Sequence, residues 1–221
     1  MRDLLFASCV PALWVMTVIH IALMVLLFSH YSKTKHKIFL LTGFICFGLF
    51  YDAAILALGS VMTEGALLLA LSRLRYVFHG GLIPLIFLIC GYALNAKGIW
   101  MKALYVLTGI LIALGIADGC VREIDAVTVA SVCRYASVSA PAWAEIVNSL
   151  LTFGTVIPLM IVGIVVWKKQ KTPKLFLAGF LMFLFSGLGA ACLELMFYIS
   201  MYGEVLMSLF FYLYAKKKAA A

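Results

Sequence analysis

Apolar residues along this chain come in long unbroken runs, not in alternation with polar ones. The runs cover 9–29, 38–62, 76–94, 100–117, 143–167, 175–200 and 203–215. Several exceed the roughly 18 residues that a helix needs to cross about 30 Å of hydrocarbon; the last is short. Lipid offers backbone amides no partners, so each run must satisfy its own as a helix. A transmembrane β-barrel would show apolar and polar residues alternating. The pattern therefore predicts an all-α polytopic membrane bundle of about seven transmembrane helices, one integral-membrane domain over residues 1–221. Composition agrees: 66% of residues are hydrophobic and 12% charged, against about 25% charged in an ordinary soluble domain.

The net charge of +8 is a topology signal once the spans are drawn. One set of connections holds Lys33, Lys35, Lys37, Lys97, Lys102, Lys168, Lys169, Lys171, Lys174 and Lys216 to Lys218, with no acid. The other set holds Arg2, Arg73, Arg75, Arg122 and Arg134 with Asp3, Glu64, Asp118, Glu123, Asp125, Glu145 and Glu204. Asp52 and Glu194 fall inside spans. The positive-inside rule then predicts the N-terminus outside and the C-terminus in the cytoplasm of a plasma, inner or endomembrane, with contact to anionic lipid. No nucleic-acid signal is present. The first apolar run is too long for a signal peptide and its positive charge follows the run, so it is read as an uncleaved span. The terminal "AKKKAAA", 215–221, is low in complexity and carries no argument.

Six cysteines are present, without C-x-x-C or zinc-type spacing. Cys120 and Cys133 share the long outside loop 118–142, where a disulfide would form in an oxidising compartment. Cys9 and Cys192 lie toward the same side. Cys46 and Cys90 read as small apolar packers. The loop is the only sizeable extramembrane piece, so a protein partner, if there is one, would be met there.

A faint internal echo runs through the chain. "TVIH" at 17–20 recurs as "TVIP" at 155–158, and "KIFLLTGF" at 37–44 as "KLFLAGF" at 174–180. It suggests a 3+1+3 pseudo-repeat with span 4 as linker, a layout that resembles the SWEET-type sugar transporters. No Pro-Gln pair occurs, so no residue role follows from that resemblance. The layout is similar to that of the rhodopsins too, but 203–215 contains no lysine for a retinal Schiff base.

Polar residues inside the spans carry the functional signal. Asp52, in "LFYDAAILALG", shares a helical face with Gly48, Ile55 and Gly59, and glycines mark close helix approach, so it is predicted to point into the bundle. An ionised carboxylate at that depth costs several kcal/mol unless it is paired, protonated or wet. Candidate partners gather toward the outer half: Glu194 in span 6, His79 and Arg75 at the entry of span 3, Glu145 and Asn148 at the outer end of span 5. His20 lies near mid-depth in span 1, where a hydrogen-bonded core histidine is the commoner outcome. The inner half holds almost no ionisable group, which predicts a polar pocket opening outward above an apolar plug. The segment "TEGALLLALSRLR", 63–75, reads as an interfacial half-helix whose Arg73 and Arg75 either anchor at the headgroups or grip a phosphate or anionic solute. Pro84 and Pro158 predict kinks. Trp100, Trp143 and Trp167 sit at span ends, as an aromatic belt requires.

Three function classes fit these residues. A small-solute transporter or small-molecule and lipid binder would use Asp52 and Glu194 as ion sites, with His79 and Arg75 on the substrate. An intramembrane enzyme acting on a lipid or isoprenoid would use Asp52, Glu194, His79 and His20 as acid–base groups. A non-catalytic subunit or receptor would work through the outside loop. No metal site is assigned, because no H-x-x-x-H or similar dense pattern occurs. No cofactor is named: the G-x-x-x-x-G-K-[ST] and C-x-x-C-H motifs are both absent.

Overall fold

A computed structural model describes residues 2–220; Met1 and Ala221 lie outside the described residues, as does the side chain of Arg2. Eight helices and one hairpin follow in the order α1 (Arg2–Thr34), α2 (Lys37–Leu58), α3 (Ala66–Leu82), α4 (Leu85–Ala93), α5 (Gly98–Val121), β1 (Glu123–Val129), β2 (Val132–Ser139), α6 (Ala142–Gln170), α7 (Lys174–Ala190) and α8 (Met196–Ala219). Helices α3 and α4 are one span broken at Ile83–Pro84, where the proline ring cannot continue the i to i−4 ladder. Six stretches are long and apolar enough to cross a membrane: 3–34, 37–58, 66–93, 98–121, 142–170 and 193–219. Helix α7 is a seventh apolar helix of 17 residues, about 25 Å long.

The helices pack in chain order as a ring, each on its neighbours, and α8 closes it against α1. The last lysines and the lysines flanking α2, α5, α6 and α7 collect at one end, and the hairpin covers the other. Three boundaries differ from the sequence expectation. The segment 63–75 is no separate half-helix, since α3 begins at Ala66 and runs through it. The sixth span ends at Ala190, not 200, and a 3-10 turn at Leu193–Leu195 leads into α8. The last span is therefore not short: Met196 to Ala219 is continuous helix, through most of the low-complexity tail. There Lys217 Nζ donates to the carbonyls of Gln170 and Lys171 at 3.3 and 3.2 Å, and Lys218 Nζ to Asn95 Oδ1 at 2.9 Å.

Glycine sets the tightest crossing. A Cβ on Gly80 of α3 would stand 2.4 Å from the carbonyl oxygen of Gly115 on α5, and one on Gly119 would reach the backbone of Tyr76 and Val77 at 2.7 Å. The spacing Gly115–x–x–x–Gly119 is what lets two membrane helices touch along their backbones.

The loop 118–142 is the one departure from all-helical structure. Strands β1 and β2 pair antiparallel with Val129 opposite Val132, and the two-residue turn places Ala130 and Ser131 at φ 50° and 63°, the left-handed values a tight hairpin of this twist requires. The hairpin lies down on the bundle. Cys133 N donates to Gly59 O at 2.8 Å. Tyr76 Oη accepts from Ser137 N at 2.9 Å and donates to Tyr135 O at 3.3 Å. Val132 is buried with Cys9, Leu13, Leu56 and Tyr198. Cys120 and Cys133, the pair expected to form a disulfide, are not joined in this structure. Cys133 sits on β2 facing Gly59 of α2, whereas Cys120 is exposed near the end of α5, and both are free thiols.

Candidate functional site

Between α2, α3, α5, α6, α7 and α8 lies a cavity of about 600 Å³, within the usual range for a small-molecule site. Each helix lines it with one face, at helical spacing. Helix α3 gives Arg75, His79, Ile83 and α6 gives Asn148, Leu151, Thr152, Thr155; α7 gives Phe183, Ser186, Gly187, Ala190 and α8 gives Ser200, Glu204, Met207. Helix direction then orders the cavity by depth. Leu49, Ile83, Ile86 and Met207 form its floor, each a turn or so nearer the lysine end than Asp52, His79 or Glu204. Beneath them the main core begins, with Phe39, Phe211 and Tyr214 fully buried.

Asp52 accepts a charge-assisted hydrogen bond from Arg75 Nε through Oδ1, and the two side chains are 13% and 10% exposed. This is the pair that makes a carboxylate tolerable in "LFYDAAILALG". His79 lies one turn below Arg75 on α3, and Glu204 faces both from α8. The ligating atoms of Asp52, His79 and Glu204 all lie within 4.8 Å of one another. Glu204 is 4% exposed, and its Oε2 has no hydrogen-bond partner, nor has Arg75 Nη1. Both atoms are buried and have no hydrogen-bond partner among the described residues, and both residues line the cavity.

No protein-family model matches this chain, and no curated protein matches it in sequence. The function must be read from the site itself.

Toward the hairpin, Arg122 organises the wall. It donates from Nε to Asp118 Oδ2 at 3.0 Å, with Nη2 in ion-pair contact 2.9 Å from Oδ1, a charge-assisted pair. Its Nη1 donates to Ser137 Oγ at 3.2 Å and Glu145 Oε1 at 3.4 Å. The hairpin is thereby tied to α5 and α6. Arg134 of β2 stacks 4.4 Å from the Phe197 ring; burial first, and the Arg75 cation second, hold its guanidinium below its usual range.

The predicted residues divide. Asp52, Arg75, His79 and Asn148 line the cavity. Glu145 stays at the surface, reaching inward only through Arg122. Arg73 turns away from the cavity: its Nη1 donates to the carbonyls of Gly119 and Arg122 and fastens α3 to α5. His20 is fully buried in α1, with Nδ1 3.0 Å from Met16 O, and is a core histidine outside the cavity. Glu194 lies exposed in the 3-10 turn between α7 and α8, at the very start of the stretch 193–219, and does not line the cavity. The acid that the sequence reading missed is Glu204. It stands at the edge of the run 203–215 and is counted with the outside connections, although apolar residues continue on both sides of it in "MFYISMYGEVLMSLFF".

The mouth of the cavity is lateral. Helices α6 and α7 touch closely near the lysine end, where a Cβ on Gly163 would meet the backbone of Phe176 at 2.5 Å and one on Gly179 would meet Met160 at 2.9 Å. Toward the hairpin they part. Phe153, Phe183 and Met196 line the cavity and are also 55%, 44% and 45% exposed. A Cβ on Gly187, between them, would meet nothing within 4 Å.

Proposed function

We propose that this chain is a multipass membrane protein that binds an amphiphile taken from the bilayer. An anionic head, carboxylate or phosphate, enters the charged chamber, and the apolar chain leaves between α6 and α7. The observation that carries this reading is the pairing of a polar interior with an apolar side opening. Arg75, His79 and Arg122 line the interior, and Phe153, Phe183 and Met196 border the mouth. Arg75 lines the chamber, and guanidinium matches the geometry of both acids. The hairpin covers the polar end of the bundle, so the membrane side is the open approach.

Orientation belongs to the same proposal. Twelve lysines at one end support a cytoplasmic position for that end by the positive-inside rule, and with it a mouth in the non-cytoplasmic leaflet. Binding is favoured over passage across the bilayer because the lysine end is shut. Below the apolar floor, Gln170 Nε2 donates to Ala93 O at 2.8 Å and Tyr214 Oη donates to Gln170 Oε1 at 3.1 Å. A second reading, chemistry on the bound head, draws on one observation: carboxylate, imidazole and carboxylate converge beside the place the head would occupy.

The test uses purified protein in nanodiscs with two labelled probes, oleate and a lysophosphatidate, which separate carboxylate from phosphate. Gly187→Trp puts an indole at the mouth, at a position where a Cβ meets nothing within 4 Å. It is expected to weaken the preferred probe at least tenfold, or about 1.4 kcal/mol, whereas Ile110→Trp on the outer surface of α5 leaves binding unchanged. Equal binding by wild type and Gly187→Trp, or no binding of either probe, would overturn the proposal.

A further inference from the structure

We infer that Asp52, His79 and Glu204 form a binding site for one divalent transition-metal ion. Three helices that are distant in sequence, α2, α3 and α8, each deliver one side chain capable of ligation, and the three ligand atoms already lie within 4.8 Å of one another. Around an ion with bonds of about 2.0–2.2 Å the ligands stand roughly 3.3 Å apart, so small side-chain rotations close the set. The position is not an exposed cluster of acids, where such proximity is common. Glu204 is nine-tenths buried or better, and its Oε2 has no partner among the described residues. Arg75 holds Asp52 by Oδ1 and orients that carboxylate as a partner outside the ligand set does for a metal-bound side chain.

Charge gives the independent reason. With both carboxylates ionised, as ligation requires, Asp52, Glu204 and Arg75 sum to one net negative charge, and uncompensated charge at this depth is costly. A divalent ion turns the sum to one positive charge, and a monoanionic head then closes it to zero. Ligand chemistry narrows the ion. One imidazole with two carboxylates suits zinc, iron(II) or manganese(II) better than the softer or harder extremes. Three protein ligands leave coordination positions open, as in zinc sites that bind a further ligand, and the cavity lies on that open side. The ion's role as anchor for the head rests on the amphiphile reading; its presence does not.

The experiment therefore uses no amphiphile. Protein purified in detergent, stripped with EDTA and dialysed, is titrated with zinc and with cobalt(II), whose absorption bands report the ligands. Wild type is expected to take one equivalent, with a cobalt spectrum of nitrogen and oxygen ligation. Glu204→Gln and His79→Gln are expected to lose affinity by more than the roughly 10–100-fold that loss of an outer partner costs. Glu204→His, which restores a ligand, recovers zinc binding; a merely structural glutamate would give no such recovery. Ile110→Ala serves as the surface control. Absence of zinc and cobalt binding in monodisperse wild type overturns the site. So does equal affinity in Glu204→Gln and His79→Gln. If those variants do not fold, X-ray absorption on wild-type zinc protein decides: one imidazole with oxygen neighbours supports the site, and sulfur neighbours overturn it. Metal binding that survives in Gly187→Trp while the amphiphile is lost separates the two proposals.

Discussion

Asp52 and Arg75 illustrate how one pair can look essential without being stabilising. Both side chains are almost fully withdrawn from solvent, so each was desolvated on folding and recovers that cost only through the other. Removing one partner leaves an uncompensated charge, which typically costs about 3–5 kcal/mol, while replacing both by apolar groups of similar size is often neutral. Asp52→Asn is therefore expected to lower the thermal midpoint in detergent by far more than Asp52→Leu combined with Arg75→Met. Scanning calorimetry or a thiol-reactive unfolding assay on the two variants checks the order; the reverse order would mean that the pair stabilises the fold outright. The sequence pointed to this pair because a carboxylate on a glycine-bearing face has few alternatives. It did not point to Glu204, which is chemically the same signal, because glycine at 203 reads equally well as a turn or as a tight packing position. Only the packing decides: a Cβ there would meet Phe185 at 3.0 Å and Met182 at 3.1 Å on α7.

Glycines again decide how the helices meet. Gly115 of α5 approaches the Gly80 backbone so closely that a Cβ would stand 2.1 Å from its carbonyl oxygen, and no side chain can yield because the neighbour is backbone. Gly109, two turns earlier on the same helix, has nothing within 4 Å. Gly115→Ala is expected to push α3 from α5 and cost on the order of 1–3 kcal/mol, as overpacking does. Gly109→Ala should be neutral or gain up to about 1 kcal/mol of helix propensity. Thermal midpoints of the two variants give the comparison, and equal behaviour would mean that this crossing does not hold the bundle. Apolar run lengths revealed the helices themselves, since lipid leaves few choices. Their ends were harder, as the misplaced boundary between α7 and α8 shows. In a chain this apolar, a break between two spans need not be polar, and "GLGAACLELMFY" reads as one run. The hairpin was hidden for a related reason. Its turn residues, Ala130 and Ser131, lack the Asn-Gly or Asp-Gly that would mark left-handed backbone.

Taken together, the ring of helices has a closed end and a worked end. At the lysine end α1 and α2, α6 and α7, and the tail of α8 converge on aromatic packing and the Gln170 bonds. At the hairpin end α7 is short, and Asp52, Arg75, His79, Asn148 and Glu204 gather in the cavity. The asymmetry of charge in the sequence and the asymmetry of cavity in the fold run together: the end that carries the lysines is packed shut, and the polar cavity lies toward the other. If so, the cavity's leaflet can be read from the exposure of two thiols. Cys120 is exposed beside the hairpin, and Lys169 is exposed near the opposite end of α6. In intact cells, a variant keeping Cys120 as its sole cysteine is expected to react with a membrane-impermeant maleimide. A cysteine-free variant carrying Lys169→Cys should react only after permeabilisation. The opposite pattern would turn the molecule over, put the mouth between α6 and α7 in the cytoplasmic leaflet, and require the amphiphile to be drawn from that side. Zinc titration would be unmoved by such a reversal, because the three ligating side chains meet inside the bundle whichever way it faces.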